Sequence, residues 1–123
     1  VGKNDEALLA LESALKWNPS LAGAWNDKGW ALYNQGKYDE AIEACDKAIE
    51  LDPTLAFAWG NKGEALHLLG NPEGALDALD KAIELDPKYA RAWNKRGWVL
   101  SSLGRAAEAD VAFAKAKELG FTS

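Results

Sequence analysis

The chain has 123 residues and a net charge of −5, so its length suits one domain and its acidic balance disfavours nucleic-acid binding. Hydrophobic residues make up 48% and charged residues 27% of the chain, which is typical of a folded, soluble protein. No apolar run is long enough to cross a membrane, and no basic-then-apolar leader follows Val1. We therefore expect a cytoplasmic protein with neither a nucleic-acid nor a membrane partner.

The sequence repeats itself every 34 residues, as the spacing of Trp25, Trp59 and Trp93 demonstrates. The same interval separates Gly29, Gly63 and Gly97; Gly36, Gly70 and Gly104; Ala41, Ala75 and Ala109; and Ala48, Ala82 and Ala116. A fixed period of this length indicates stacked structural units. It predicts one domain over residues 1–123, with full repeats at 22–55, 56–89 and 90–123 and the second half of an incomplete repeat at 1–21.

Each repeat contains two amphipathic helical patterns. In the first repeat, apolar residues recur at helical spacing from Ala24 to Leu32, and Gly36 then ends the first helix. A second apolar stripe runs from Tyr38 to Leu51. It ends before Pro53, because the residue that precedes a proline is pushed out of helical geometry. The sequence thus predicts an all-α array of helix pairs.

The two ends of the array differ from its middle. In the third repeat, Asp110 and Lys117 replace apolar residues of the earlier repeats, which predicts a C-terminal cap with a polar outer face. Residues 4–17 match the second helix of a repeat whose first helix is absent, so we expect an apolar face to be left open. This predicts self-association, for example as a homodimer, through Leu8, Leu11 and Leu15.

Catalytic and metal-binding patterns are missing from the sequence. His67 is the only histidine and Cys45 the only cysteine, so a multi-histidine metal site and an internal disulfide are excluded. No nucleophile motif or glycine-rich phosphate loop is present. We expect no enzyme activity, no cofactor and no metal.

The repeated positions resemble the tetratricopeptide repeat family over essentially the whole chain. The resemblance rests on Trp25, Gly29, Leu32, Ala41, Ala48 and Pro53 and their equivalents. It implies a right-handed superhelix (an α-solenoid) of antiparallel helix pairs, with a concave groove lined by the first helix of each pair. The function it implies is a non-catalytic scaffold that binds a peptide in this groove, with self-association as the alternative.

The same resemblance assigns side chains to the groove. They are Asn26, Trp30, Tyr33, Phe57, Asn61, Glu64, Arg91, Asn94, Lys95 and Trp98. Because Glu64 is the equivalent of Trp30 and Trp98, core packing does not demand an aromatic ring there, and both tryptophans are candidate ligand anchors. The alternative is that their rings pack along neighbouring helices and only stiffen the groove.

Some members of this family hold the terminal carboxylate of a peptide with basic and asparagine side chains. Asn61, Arg91 and Lys95 match that pattern in chemical type, whereas Asn26 and Trp30 depart from it. Arg91, Lys95 and Arg96 also form a basic wall that suits acidic side chains. The partner predicted here is a protein or peptide, and an acidic or carboxylate end is one feature that this wall would suit.

Overall fold

The computed structural model describes residues 3–121, and this part of the chain contains α-helices and no strand. The helices are α1 (Lys3–Trp17), α2 (Ala22–Asn34), α3 (Tyr38–Leu51), α4 (Ala56–Leu68), α5 (Pro72–Leu85), α6 (Ala90–Ser102) and α7 (Ala106–Glu118). None of the described helices combines the length and the apolar composition that spanning a bilayer requires.

The helices pack in sequence order, most closely as the pairs α2–α3, α4–α5 and α6–α7. Helix α2 also touches α4, and α4 touches α6, whereas the described helices α1, α3, α5 and α7 do not approach one another. An array whose first helices are the nearer neighbours bends towards them, so α2, α4 and α6 line its concave side. The predicted fold, an all-α solenoid of helix pairs, is confirmed.

Within each pair, the helices cross at a glycine of the first helix. A Cβ atom on Gly63 would lie 2.7 Å from Cγ of Leu79, and one on Gly29 would lie 2.7 Å from Sγ of Cys45. These separations are too short for real atoms, so only glycine allows the second helix to come this near. The repeated glycine is therefore a packing position.

The repeated tryptophans join each first helix to the turn that precedes it. Each indole Nε1 donates a hydrogen bond to the carbonyl oxygen of the proline six residues earlier, at 2.9–3.0 Å. The pairs are Trp25–Pro19, Trp59–Pro53 and Trp93–Pro87. The indole thus satisfies a carbonyl that follows a helix end, where an intrahelical partner is missing.

The helix ends follow the predicted chemistry. Gly36, Gly70 and Gly104 have φ values of 79°, 87° and 75° directly after the first helices, a conformation that side chains other than glycine disfavour. Helix α5 begins at Pro72, and the Asn71 side chain accepts a hydrogen bond from the backbone N–H of Gly74. The glycine stops were predicted from the sequence.

One ion pair recurs at the junctions between repeats. Asp46 lies 2.7 Å from Nζ of Lys62, and Asp80 lies 2.6 Å from Nε of Arg96. The next equivalent of these aspartates is Ala114, which carries no charge. Asp110 is exposed on the same helix, α7. An exposed charge on this helix is compatible with the predicted C-terminal cap, and the cap stays a prediction.

Helix α1 uses two of its leucines to dock on the array. Leu8 is 9% exposed and packs in a cluster with Ala31 and Leu32, while Leu15 is 7% exposed. These two leucines are therefore not part of an open face, contrary to the prediction, because α2 covers their side of α1. Leu11 remains partly exposed, and the uncovered side of the helix also carries Ala7, Ala10 and Ala14.

The glycine crossing can be tested by stability. We expect Gly63→Ala to lower the free energy of unfolding by about 1–3 kcal/mol, because the new methyl group overlaps Leu79. Gly23→Ala is the matched control: a Cβ there meets no atom within 4 Å, and alanine is the better helix former by up to about 1 kcal/mol. Urea unfolding followed by circular dichroism measures both. Equal changes in the free energy of unfolding at the two sites would contradict the packing role of Gly63.

Candidate functional site

The concave groove is the surface formed by α2, α4 and α6, and part of it is a hollow of about 300 Å³. This volume is at the lower end for ligand sites and suits one or two side chains of a longer ligand. The hollow is lined by Asn26, Asp27, Trp30, Phe57, Asn61, Tyr89 and Arg91. Five of these residues belong to the groove set predicted from the sequence, and Asp27 and Tyr89 do not.

Trp30 contacts two flat groups. Its ring stacks on Tyr33, with centroids 5.3 Å apart and planes 12° apart. The guanidinium carbon of Arg91 lies 4.8 Å from the Trp30 centroid, a distance at which cation–π attraction stabilises the contact. Trp30 is therefore half-buried and has a packing role as well as a face towards the hollow.

Phe57 and Tyr89 form the second aromatic contact of the hollow. Their rings meet edge to face at 4.9 Å, and the Phe57 side chain is 54% exposed. The Tyr89 ring fits because residue 60 is glycine, and a Cβ there would lie 2.8 Å from the ring. Burial, followed by the charge of Glu64, raises the pKa of Tyr89 above its ordinary value, so the hydroxyl keeps its proton at neutral pH.

Glu64, Arg91 and Lys95 make up an ion cluster in the groove wall. Nε and Nη2 of Arg91 donate to the two carboxylate oxygens of Glu64 at 3.0 and 2.8 Å. Nζ of Lys95 lies 3.5 Å from the same carboxylate, which is 2% exposed. The hydrogen bond to Glu64 raises the pKa of Arg91. Glu64, predicted to face the groove, is instead covered by these two cations from the next repeat.

Asn26 and Asn61 are paired across neighbouring repeats. Nδ2 of Asn61 donates to Oδ1 of Asn26 at 2.8 Å, and both residues are 8% exposed. Asn26 Nδ2 and Asn61 Oδ1 take no part in this bond. The pair therefore offers one donor and one acceptor beside the hollow.

Trp98 and its surroundings form a separate part of the groove on α6. The Trp98 ring is 54% exposed and meets Phe113 edge to face at 5.5 Å. Nearby on α4 and α6, Nε2 of His67 lies 3.0 Å from Oγ of Ser102. Burial and the charge of Lys95 lower the pKa of His67, which favours its neutral form. Asn94 is partly exposed on the same helix.

The predicted basic wall is only partly present. Nε of Arg96 is 2.6 Å from Asp80 of α5, so this side chain serves the junction between repeats and not the groove. Arg91 and Lys95 do face the groove but share the Glu64 carboxylate. Arg96 is therefore not part of the candidate site, because its ion-pair partner lies on α5, the second helix of the preceding pair.

Cys45 is 0% exposed, and burial raises its pKa to about 12, so the thiolate form is disfavoured. Residues 3–121 contain no group of three or more His, Cys, Asp or Glu side chains placed to hold a metal ion.

Two residues that line the hollow were not predicted from the sequence, although a comparison of the repeats could have pointed to one of them. Tyr89 occupies the position of Leu21 and Leu55, while Gly60 occupies that of Asn26 and Asn94. In the repeat 56–89, a larger residue at one position and a smaller one at the other thus occur together, which is the pattern of compensating contacts. Asp27 left no such signal.

Two family models match this chain. A tetratricopeptide repeat model matches residues 22–55 and 56–89, and a second tetratricopeptide repeat model matches residues 78–110. No curated protein matches the chain.

Solved structures share the fold. A crystal structure of MamA is 32% identical with a TM-score of 0.86, over 97% of this chain and 70% of that chain. Another MamA structure is 27% identical with a TM-score of 0.84, over 96% and 64% of the two chains. The second tetratricopeptide repeat domain of Spaghetti (RPAP3), bound to the HSP90 peptide SRMEEVD, is 31% identical with a TM-score of 0.77, over 80% and 91%. This chain therefore spans roughly two thirds of those MamA chains.

The ion cluster makes a stability prediction. We expect Arg91→Ala to lower the free energy of unfolding by about 2–4 kcal/mol, because it leaves the buried Glu64 carboxylate with Lys95 alone. Arg105→Ala is the control: Arg105 also binds a glutamate through two nitrogens, but that Glu108 is 50% exposed, and the expected loss is below about 1 kcal/mol. Thermal and urea unfolding give both values. Similar losses would mean that Glu64 does not depend on Arg91.

Proposed function

This chain belongs to the tetratricopeptide repeat family, and on that premise we propose that its concave groove binds a peptide segment of another protein. The family and its neighbours support the broader role of a protein-interaction scaffold. One of those neighbours carries a bound peptide, the HSP90 sequence SRMEEVD.

The observation that carries this proposal is the exposed Phe57 ring at the edge of the hollow. An aromatic side chain that is 54% exposed leaves most of its apolar surface in water, and covering it releases free energy. The edge contact with Tyr89 restrains the ring, which reduces the rotational entropy that it loses on binding. Aromatic residues, phenylalanine included, are enriched at protein interfaces.

The asparagine pair gives the groove a way to recognise a peptide backbone. Asn26 Nδ2 is a donor and Asn61 Oδ1 an acceptor, and both lie beside the hollow. A peptide unit presents the complementary carbonyl oxygen and N–H in any sequence. We propose that these amides orient the peptide while Phe57 and Trp30 contact its apolar side chains. A short segment in so open a site would bind in the micromolar range, about −8 kcal/mol.

Peptide selection tests the proposal. Peptides are selected from a random library on the whole chain, and their affinities are then measured by fluorescence anisotropy. We expect Phe57→Ala to weaken the selected peptides at least about tenfold, a loss of about 1.4 kcal/mol.

Val111→Ala is the control for that experiment, because Val111 is 66% exposed on α7 and lies outside the hollow. Its affinity should match that of the unmodified chain. If Phe57→Ala leaves every selected peptide unaffected, or if no peptide can be selected, the groove is not the binding site.

A second candidate function is self-association through α1. Ala41 and Ala44 of α3 are 1% and 3% exposed because α2 packs on them. Their equivalents on α1, Ala7 and Ala10, are exposed, and no helix within residues 3–121 covers them. Trp17, at the end of α1, is 90% exposed. A second copy of the chain could cover this apolar side.

Self-association is tested by sedimentation over a range of concentrations. Leu11→Glu introduces a charge on the uncovered side of α1 and should shift the chain to monomer. Leu9→Glu is the control, since Leu9 is 65% exposed on the opposite side of the helix. A chain that is monomeric at every concentration would exclude this function and leave the groove proposal untouched.

A further inference from the structure

The groove contains a carboxylate of its own at the place where its cations converge. Glu64 stands in the middle repeat at the position that holds Trp30 and Trp98 in the repeats on either side. Its oxygens accept the two hydrogen bonds from Arg91 at 3.0 and 2.8 Å, and Lys95 approaches to 3.5 Å. Both groove cations therefore already face a negative charge supplied by the chain.

An external carboxylate would have to compete with Glu64 for Arg91. The guanidinium edge that presents Nε and Nη2 is fully used by the two Glu64 oxygens, and one guanidinium face lies on Trp30. Moving Arg91 to a ligand would leave a carboxylate that is 2% exposed with Lys95 as its remaining counter-ion. A buried carboxylate that loses a partner is strongly destabilising, so the exchange is unfavourable.

We propose that Glu64 is the specificity-determining residue of the groove, a built-in carboxylate that rejects peptides presenting their own carboxylate at Arg91 and Lys95. The inference rests on the proposed peptide-binding function and defines its ligand class. The preferred ligand is an internal, uncharged segment with apolar side chains. Peptides whose recognition depends on a free C-terminus or on acidic side chains are disfavoured.

The proposal predicts that removing this one negative charge changes the class of peptide that binds. The probe is the acidic heptapeptide SRMEEVD, with a free C-terminus and in a C-terminally amidated form. Affinity is measured by fluorescence anisotropy on the whole chain. Glu64→Gln should bind the free-acid peptide at least about tenfold more tightly than the unmodified chain does. The gain should be smaller for the amidated form and should shrink with added salt.

Glu108→Gln is the matched control. Glu108 also receives two hydrogen bonds from one arginine, Arg105, but the pair lies at the start of α7, outside the hollow. This variant removes the same charge from the chain and should leave the affinity for SRMEEVD unchanged. An equal gain in Glu108→Gln would mean that net charge alone, and not the groove carboxylate, controls binding, and it would overturn the proposal.

A second variant guards against misfolding. Glu64→Trp places at this position the residue found in the other two repeats and also removes the charge. If Glu64→Gln loses its helical circular dichroism, Glu64→Trp takes its place, with the same expected gain. If neither variant binds the free-acid peptide more tightly than the unmodified chain, the proposal is overturned.

The outcome separates this inference from the function on which it rests. Selected apolar peptides that bind the unmodified chain, with no gain for SRMEEVD in either Glu64 variant, would overturn the role of Glu64 and leave groove binding standing. If the variants bind SRMEEVD more tightly but the unmodified chain binds no peptide, the role of Glu64 is supported. The proposed peptide-binding function of the unmodified groove is then overturned.

Discussion

The second helix of each pair lies against the first only because glycine stands where they cross. At Gly29, Gly63 and Gly97 any side chain would collide with the residue opposite. This close crossing lets the pairs stack with α2, α4 and α6 side by side. Positions on the concave side are then spaced by one repeat, so the groove arises from the packing of the pairs and needs no separate ligand-binding motif.

The fold could be predicted from the sequence because its determinants occur once in every repeat. The Trp25 position recurs at a constant interval, and each first helix ends at a glycine like Gly36 with positive φ. Such signals reinforce one another, and chance agreement over three copies is negligible. The limits of the helices were less certain: the apolar pattern of the first repeat begins at Ala24, whereas α2 begins at Ala22.

The site was predicted less well because its decisive contacts join different repeats. Helical spacing placed Glu64 on the groove side, but the cations that bury it belong to the following repeat. Spacing within α1 likewise grouped Leu8 with Leu11 but could not tell which side α2 covers. Periodicity identifies residues that share a face. It does not identify the neighbour that covers that face, and this information lies in the packing.

The Arg91 side chain gives the array a property that stacked repeats normally lack. In most solenoids each repeat contacts only its neighbours, so stability is a sum of repeat and junction energies. Arg91 belongs to the third predicted repeat, yet its guanidinium lies over Trp30 of the first while bound to Glu64 of the second. The energy of this contact exists only when all three repeats are folded together. A description of the unfolding of this chain should therefore include an interaction energy between the first and the third repeat. Partly unfolded states that lack either end should be rarer than a nearest-neighbour description allows.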